Sequence, residues 1–215
     1  MKSVLRMCAV VAAVVSVSAC TVRNPVKENS PDAEVLAARY VHDGPARLTL
    51  YTMRSNRNGS GAHTSLLING SERVAFDPAG SFRKDGAIVA KNDVVYGMTP
   101  WMVDQYTRFH ARETYHVVVQ SLDVSPQVAE MALRKAQSLG PVLESQCAQS
   151  TSQVLRALPG FEDAPSTLFP VKLEEYFAAK GATYERLFEY DDDDKSKVLA
   201  AFTPQYEDEP LSPTN

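Results

Sequence analysis

The stretch Gly61-Ala-His-Thr-Ser-Leu-Leu-Ile-Asn-Gly-Ser-Glu-Arg-Val-Ala-Phe-Asp-Pro78 predicts a β-hairpin. The run His63–Ile68 has the composition of a strand, and Asn69-Gly70 is the strongest short-range signal for a hairpin turn in the chain. The return strand is expected over Glu72–Asp77, where Pro78 ends it because proline cannot donate to a neighbouring strand. The hairpin places a β-sheet in the first half of the chain.

Strands are also predicted on both sides of this hairpin. Arg47–Met53 alternates polar and apolar residues, as a half-buried strand does. Gly86–Lys91 and Thr114–Val124 add two further strands. With the hairpin, these segments form an antiparallel meander.

In the second half of the chain, the spacing of apolar residues lengthens to about three and a half, which is typical of helices. Thr99-Pro100 and Ser125-Pro126 each combine a capping residue with a proline suited to the first helical position. A third helix is expected from near Cys147 to Pro159-Gly160. Because strands and helices are segregated along the chain, we predict an α+β domain in which an antiparallel meander packs with helices.

The N-terminus resembles a bacterial lipoprotein signal peptide with its lipobox. The apolar run Met7–Val15 is followed by Val17-Ser-Ala-Cys20. This run is about half the length that a membrane-spanning helix needs, so cleavage is expected rather than a membrane anchor. Residues 1–19, with Cys8, would be removed, and the Cys20 sulfur would carry a diacylglycerol. Because residue 21 is not aspartate, the resemblance implies a lipid-anchored protein of the bacterial cell envelope, at the outer membrane and facing the periplasm.

Length and charge limit the possible functions. The chain is long enough for one domain, expected over residues 34–199, after a lipidated tether at 20–33 and before a disordered tail at 200–215. Loss of Lys2 and Arg6 with the signal changes the net charge from −4 to −6, and no basic patch indicates binding of nucleic acid. Membrane contact is therefore expected through the lipid on Cys20.

Cys147 is then the one thiol left in the mature chain, without a partner for an intramolecular disulfide. Two interpretations stay open: a small buried residue that begins the apolar stripe of a helix, or a nucleophile. In the first turn of a helix, unpaired N–H groups and the helix dipole stabilise a thiolate. His63 opens a predicted strand directly after a glycine-rich loop, where its ring could face a helix-borne cysteine and act as its base.

The other polar motifs are interpreted as structural. His110 and His116 lie at a helix end and on a strand, without the spacing of metal ligands. Asp191–Asp194 lacks the glycine and the terminal glutamate of a calcium loop. Trp101 and Tyr106 could line a pocket, but their helical spacing favours core packing. We therefore expect no metal, no cofactor and no catalytic role for these residues.

Three segments resemble the circularly permuted branch of the NlpC-type papain-like superfamily, which includes lecithin retinol acyltransferase-like enzymes and bacterial outer-membrane lipoproteins. They are Gly61–Ile68, Phe76–Gly80 and Ser145–Leu155. The order in which His63 precedes Cys147 is the permuted order. Many permuted members have asparagine directly before the cysteine, where this chain has Gln146.

The resemblance implies a third polar residue on the next strand, which orients His63. Asp77 is the natural candidate, and the register of the hairpin decides whether it faces His63. A strict two-residue turn would place Phe76 opposite His63, whereas a three-residue loop over Asn69–Ser71 would place Asp77 there. An aspartate before proline is also a common turn residue. Tyr51, on the preceding strand, is the alternative partner for His63.

The expected activity is that of a membrane-tethered cysteine hydrolase or acyltransferase. Cys147 would form an acyl-enzyme from an amide or ester, with His63 as general base and Asp77 as the orienting residue. A lipid or other acylated small molecule is the favoured substrate, and a peptidoglycan peptide is the alternative. A non-catalytic envelope lipoprotein that keeps the fold for structural reasons or for binding a partner is a third possibility.

Overall fold

A computed structural model describes residues 29–187 and 195–202 of the chain. The signal segment with Cys8 and Cys20, the run Asp191–Asp194 and the end of the tail lie outside these residues. Lipidation of Cys20 therefore stays a prediction. Among the described helices, none is both long enough and apolar enough to cross a membrane.

The described strands form one antiparallel sheet of seven strands, in the order β4-β5-β3-β2-β1-β6-β7. The strands are β1 Arg47–Ser55, β2 Gly61–Asn69, β3 Arg73–Phe76, β4 Ala90–Lys91, β5 Val94–Val95, β6 Tyr115–Asp123 and β7 Glu185–Leu187. The long central pairs are β1 with β2 and β1 with β6. The predicted α+β class with an antiparallel sheet is confirmed.

Six helices complete the described part of the chain. They are α1 Asp32–Ala37, α2 Pro100–His110, α3 Pro126–Ser138, α4 Cys147–Leu155, α5 Pro170–Ala179 and α6 Lys195–Ala200. The two predicted caps are present: the Thr99 hydroxyl accepts from the N–H of Met102 at 3.2 Å, and the Ser125 hydroxyl accepts from that of Val128 at 3.3 Å. Each cap satisfies one of the N–H groups that a helix start leaves unpaired.

One predicted strand is mostly wrong. Of Gly86–Lys91, only Ala90–Lys91 joins the sheet. The N–H groups of Ala87 and Ile88 both donate to the Lys84 carbonyl, which closes a turn and withdraws these groups from strand pairing.

The hairpin between β2 and β3 has neither of the two registers predicted from the sequence. Leu66 lies opposite Phe76, and Asn69 lies opposite Arg73, so the loop is residues 70–72. Asn69 stays in the strand because its side-chain amide donates to the carbonyl of Pro45 at 2.6 Å. A loop of three residues was one of the two alternatives left open by the sequence, but the loop begins one residue later than expected. Continuation of this register places position 77 across from 65 rather than 63.

Two layers of helices cover the sheet, one on each face. The α4 layer consists of α3, α4 and α5, and it packs on the face that carries Leu48, Leu66 and Ile68. The α2 layer consists of α2 and α6, and it packs on the face that carries Met53 and Leu67. Because successive side chains of a strand point to opposite faces, β2 supplies apolar residues to both cores.

The packed part of the chain extends to Phe202, three residues beyond the predicted boundary at 199. The Phe202 side chain is buried and contacts Phe82 and Trp101, with ring centroids 5.7 and 4.9 Å away. Lys84 fixes the same segment, because its ammonium group donates to the carbonyls of Leu199 and Phe202 at 2.9 and 2.6 Å. These contacts hold α6 against α2.

Candidate active site

The site forms where β2 extends beyond its shorter neighbour. β3 ends at Phe76, opposite Leu66, whereas β2 begins at Gly61. Between Gly61 and Leu66, no described strand pairs with β2 on this side. Cys147, the first residue of α4, lies at this gap, close enough to the N–H of Thr64 for that group to lower the pKa of its thiol. The α4 layer therefore reaches the opposite face of the sheet through this opening.

The structure brings Cys147, His63 and Asp77 together. His63 lies on β2 opposite Met53, so its ring is on the side of the α2 layer. Its Nε2 donates to Asp77 Oδ1 at 2.7 Å, and its ring lies close enough to the Cys147 thiol for each group to shift the pKa of the other. Since Nε2 is used by Asp77, Nδ1 is the nitrogen that remains for the sulfur.

Charge interactions among Cys147, His63 and Asp77 outweigh the cost of burying the charged forms of Cys147 and His63. Burial lowers the pKa of His63, but hydrogen bonds to Asp77 and Cys147 and their negative charges raise it to about 9. Burial raises the pKa of Cys147, yet the hydrogen bond and charge of His63 bring it below the ordinary value of a thiol. The N–H groups of Thr64 and Ala148 also lower the Cys147 pKa. The arrangement therefore favours a thiolate paired with an imidazolium.

Asp77 is the more deeply buried member of its pair with His63. Its side chain is 3% exposed, against 18% for His63. Burial alone would raise the pKa of the Asp77 carboxyl, but the hydrogen bond and charge of His63 hold it well below its usual range. A charged carboxylate is thus maintained directly behind the imidazole.

Tyr106 of α2 supports this carboxylate from the other side. Its hydroxyl lies 2.9 Å from Asp77 Oδ1 and 2.6 Å from Ser65 Oγ. A tyrosine has one hydroxyl proton and a carboxylate can only accept, so Tyr106 donates to Asp77 and Ser65 donates to Tyr106. The sequence had indicated core packing for Tyr106. The residue is indeed 1% exposed, but its polar tip belongs to the site.

His110 also belongs to the site, contrary to the prediction. Its ring stacks on His63, with centroids 5.9 Å apart and an angle of 17° between the planes. Its Nδ1 donates to the Tyr106 carbonyl at 2.8 Å. Burial lowers the pKa of His110 to about 4, so its imidazole is neutral at neutral pH. A signal was present in the sequence, because Tyr106 and His110 lie one helical turn apart.

Tyr51, the alternative partner for His63, lies behind Tyr106 instead. Its ring meets that of Tyr106 edge-on at 5.5 Å. His116 has a separate structural contact, in which Nδ1 lies 2.6 Å from Asn56 Oδ1. Asp77 is therefore the residue that holds His63.

The turn after β3 closes tightly around Asp77. A side chain at position 80 would place its β-carbon 1.7 Å from Asp77 Oδ2. Only glycine therefore fits at this position. The Gly80 N–H donates to the Asp77 carbonyl at 2.9 Å. The segment Asp77-Pro-Ala-Gly80 therefore shapes the back of the site.

One group within the described residues could hold a metal ion. Donor atoms of His63, Asp77 and His110 all lie within 4.8 Å of one another. A metal bound to all three would replace the 2.7 Å hydrogen bond between His63 and Asp77. The metal-bound and hydrogen-bonded arrangements therefore exclude each other.

A cavity of about 400 Å³ opens beside His63 and His110. Gly80, Arg112 and Lys195 are also in its wall, whereas Cys147 is not. The cavity therefore lies on the imidazole side of the site.

The start of α4 offers backbone donors beside the sulfur. Gln146 precedes the helix without a side-chain cap, and the first turn has no acidic residue. The first backbone hydrogen bond of the helix runs from the N–H of Ser150 to the Gln146 carbonyl at 2.9 Å. N–H groups ahead of it are suited to an anion because they have no partner within the helix.

Comparison with known proteins gave no relatives: no family model, curated protein or solved structure matched the chain.

Proposed function

We propose that the chain is a cysteine hydrolase or acyltransferase that acts on an ester or amide. The observation that carries this function is the interaction of Cys147 with His63, whose Nε2 donates to Asp77, with the Asp77 carboxylate supported by Tyr106. A thiolate, an imidazolium that can give up its proton and a fixed carboxylate are the groups that acyl transfer through a thioester requires.

In the first step, the Cys147 sulfur attacks the carbonyl carbon and forms a carbon–sulfur bond. The carbonyl oxygen becomes an oxyanion, which the N–H groups at the start of α4 would stabilise. His63 then gives its proton to the leaving oxygen or nitrogen as the bond from that atom to carbon breaks. An acyl-enzyme on Cys147 and a free alcohol or amine result.

In the second step, His63 takes a proton from the acyl acceptor, which is water, an alcohol or an amine. The acceptor oxygen or nitrogen attacks the thioester, and the carbon–sulfur bond breaks. Transfer to water gives hydrolysis, and transfer to an alcohol or amine gives an acylated product. The negative charge of Asp77 stabilises the imidazolium whenever His63 holds the additional proton.

We also propose a permuted papain-like domain and a lipid anchor. A helix-borne cysteine, a strand-borne histidine earlier in the chain and an aspartate after the next strand support this fold, in line with the resemblance of the sequence to the permuted NlpC-type branch. The signal-like N-terminus supports lipidation at Cys20 and a location at the periplasmic side of the outer membrane. A lipid or acylated substrate is favoured because the resemblance includes acyltransferases.

Thiol labelling tests the proposed nucleophile. Iodoacetamide should modify Cys147 at pH 6 at least about tenfold faster than it modifies an ordinary thiol of pKa about 8.5, and His63→Ala should remove the advantage. Peptide mass mapping identifies the labelled residue, and His42→Ala is the matched control because His42 lies at a turn where its Nδ1 accepts from Gly44 N–H at 2.8 Å. Labelling at the rate of an ordinary thiol, unchanged in His63→Ala, would contradict the mechanism.

A further inference from the structure

The cavity beside His63 has positively charged side chains in its wall. Its wall includes two cationic side chains, those of Arg112 and Lys195, and none of its described lining residues is aspartate or glutamate. The whole chain carries a formal net charge of −4. A wall with cations and no acids is therefore not a consequence of overall composition.

Both cations are fixed in place by the α2 layer. Arg112 is 4% exposed, and its Nε donates to the Phe109 carbonyl at 3.3 Å, close to the end of α2. Lys195 begins α6, and its ammonium group lies 4.9 Å from the centre of the Phe109 ring. The contacts of Phe202 and Lys84 hold α6 against α2 and thereby keep Lys195 at the cavity.

The two cations also influence each other. Burial lowers the pKa of Lys195, the Asp77 charge opposes this effect, and the Arg112 charge adds to it. Both side chains are positively charged, so each attracts an anion that enters the cavity. Carboxylates and phosphates are the groups that arginine and lysine bind through charge-assisted hydrogen bonds.

The position of the cavity assigns it to one side of the reaction. In acyl transfer through Cys147, His63 gives its proton to the leaving group, so that group must lie within hydrogen-bonding reach of the imidazole. The cavity borders His63 but not Cys147, as expected for a leaving-group subsite rather than an acyl subsite. Met53, Ala62 and Tyr115 provide an apolar part of the wall for the body of such a group.

We propose that this cavity binds the leaving group of the substrate, or the acyl acceptor in its place, and that this group carries a carboxylate or phosphate which Arg112 and Lys195 contact. The assignment to the leaving group rests on the proposed acyl-transfer function. The substrate class that follows is an ester or amide whose alcohol or amine part carries an anionic group.

Three hexanoyl esters with related leaving groups test this assignment. The leaving groups are 4-hydroxybenzoate, 4-hydroxybenzamide and 4-hydroxyphenyl phosphate, and each enzymatic rate is divided by the rate with hydroxide alone. We expect kcat/KM for at least one anionic ester to exceed that for the benzamide ester by about tenfold, the effect of one charge-assisted hydrogen bond. The preferred anion distinguishes a carboxylate-bearing from a phosphate-bearing substrate.

The variants separate the cavity from the general charge of the protein. Lys195→Gln should lower the ratio of kcat/KM between the preferred anionic ester and the benzamide ester. Arg112→Gln should lower this ratio further. Arg112→Lys, which keeps a positive charge, should restore part of the ratio. Arg134→Gln is the control, since its side chain is 77% exposed on α3, and it should leave the ratio as in the wild type.

A binding measurement keeps the cavity testable apart from catalysis. In Cys147→Ala, which cannot form an acyl-enzyme, 4-hydroxybenzoate or 4-hydroxyphenyl phosphate should bind more tightly than 4-hydroxybenzamide by calorimetry, and Lys195→Gln should weaken this preference. Equal binding of all three would overturn the anionic subsite. Hydrolysis that depends on Cys147 but has equal kcat/KM for all three esters would overturn it as well, while the proposed function would stand. Preferential anion binding without any turnover that depends on Cys147 would support the anion site and reject the acyl-transfer function.

Discussion

The two helical layers contribute to the site in opposite ways. The α4 layer supplies one reactive atom, the Cys147 sulfur, and behind it lie small or apolar residues such as Ala148, Val154 and Leu155. The α2 layer and the sheet face beneath it supply a connected set of polar groups, which includes Tyr106 and His110. The Cys147 sulfur, the proposed nucleophile, is thus positioned by packing, whereas His63, its proposed base, is positioned by hydrogen bonds.

This difference predicts different sensitivities in the two layers. A packed helix start tolerates loss of a distant hydroxyl because its position depends on many small contacts. A buried polar network responds to loss of one member, because the remaining groups are left without partners where water cannot replace them. Activity should therefore be more fragile on the α2 side than on the α4 side.

The largest effect is expected from Asp77→Asn. The substitution keeps the volume but removes the charge that stabilises the imidazolium, so the pKa of His63 should fall and that of Cys147 should rise. By analogy with carboxylate-to-amide changes in other triads, we expect kcat/KM to fall by about 100-fold to 10,000-fold. Turnover of an ester substrate and the pH dependence of iodoacetamide labelling would measure the two consequences.

The fold of Asp77→Asn should remain intact, which thermal unfolding of the same preparation can check. Turnover within about twofold of wild type would mean that Asp77 is only a turn residue after β3, because loss of even a modest charge interaction changes rates by more than that. The comparison between the layers would then lose its main support.

A matched pair of hydroxyl deletions tests the comparison directly. Tyr106→Phe removes the donor to Asp77, and Ser152→Ala removes a buried α4 hydroxyl that lies 2.7 Å from the carbonyls of both Ala148 and Pro165. Each change should destabilise the protein by about 1–3 kcal/mol, because buried polar groups lose a partner.

Activity should separate the two variants. Tyr106→Phe should lower kcat by about tenfold, since a looser Asp77 orients His63 less well. Ser152→Ala should change kcat by less than about twofold, because its hydroxyl bonds only to the backbone of the packed layer. Ester turnover and urea unfolding measured side by side would decide. Equal losses of kcat in the two variants would show that both layers act through general stability alone.

The sequence was most informative where a local motif determines the structure. Thr99 and Ser125 each precede a proline that can only begin a helix, so α2 and α3 were predictable from a few residues. The start of α4 near Cys147 was predicted from the helical spacing of apolar residues instead, since Gln146 provides no side-chain cap. By contrast, α5 was not predicted: it begins with Pro170 as α2 and α3 begin with proline, but Phe169 before it provides no side-chain cap.

Long-range contacts decided the features that the sequence did not reveal. The Asn69 amide bonds to the Pro45 carbonyl, which keeps Asn69 in β2 and moves the turn by one residue. No local pattern contains that contact, so the register could not be predicted. The helical spacing of Tyr106 correctly indicated that this residue lies on a buried helix face. It could not show that this face meets a carboxylate rather than an apolar partner.

The smallest expected effect concerns the charge state of His110 in the α2 layer. The unfolded chain binds a proton on this histidine at an ordinary pKa of 6.5, whereas burial keeps the folded chain from binding it until about pH 4. The unfolded state therefore takes up more protons as the pH falls through this window, and the folded state is destabilised. Between pH 7 and pH 5.5, this group should cost the wild type about 1 kcal/mol of unfolding free energy.

His110→Gln should remove that cost, because glutamine does not titrate and its amide can still donate to the Tyr106 carbonyl. The loss of stability between pH 7 and pH 5.5 should then be smaller than in the wild type by about 1 kcal/mol in urea unfolding. His116→Gln is the control for the second histidine whose pKa burial lowers, and its effect should add to that of His110→Gln because the two residues lie in separate contacts. An unchanged pH dependence in His110→Gln would mean that His110 binds its proton as readily in the folded protein as in the unfolded chain. In that case, a charged His110 ring would lie against His63 at pH 5.5. Its positive charge would disfavour the protonated His63 that pairs with a thiolate at Cys147.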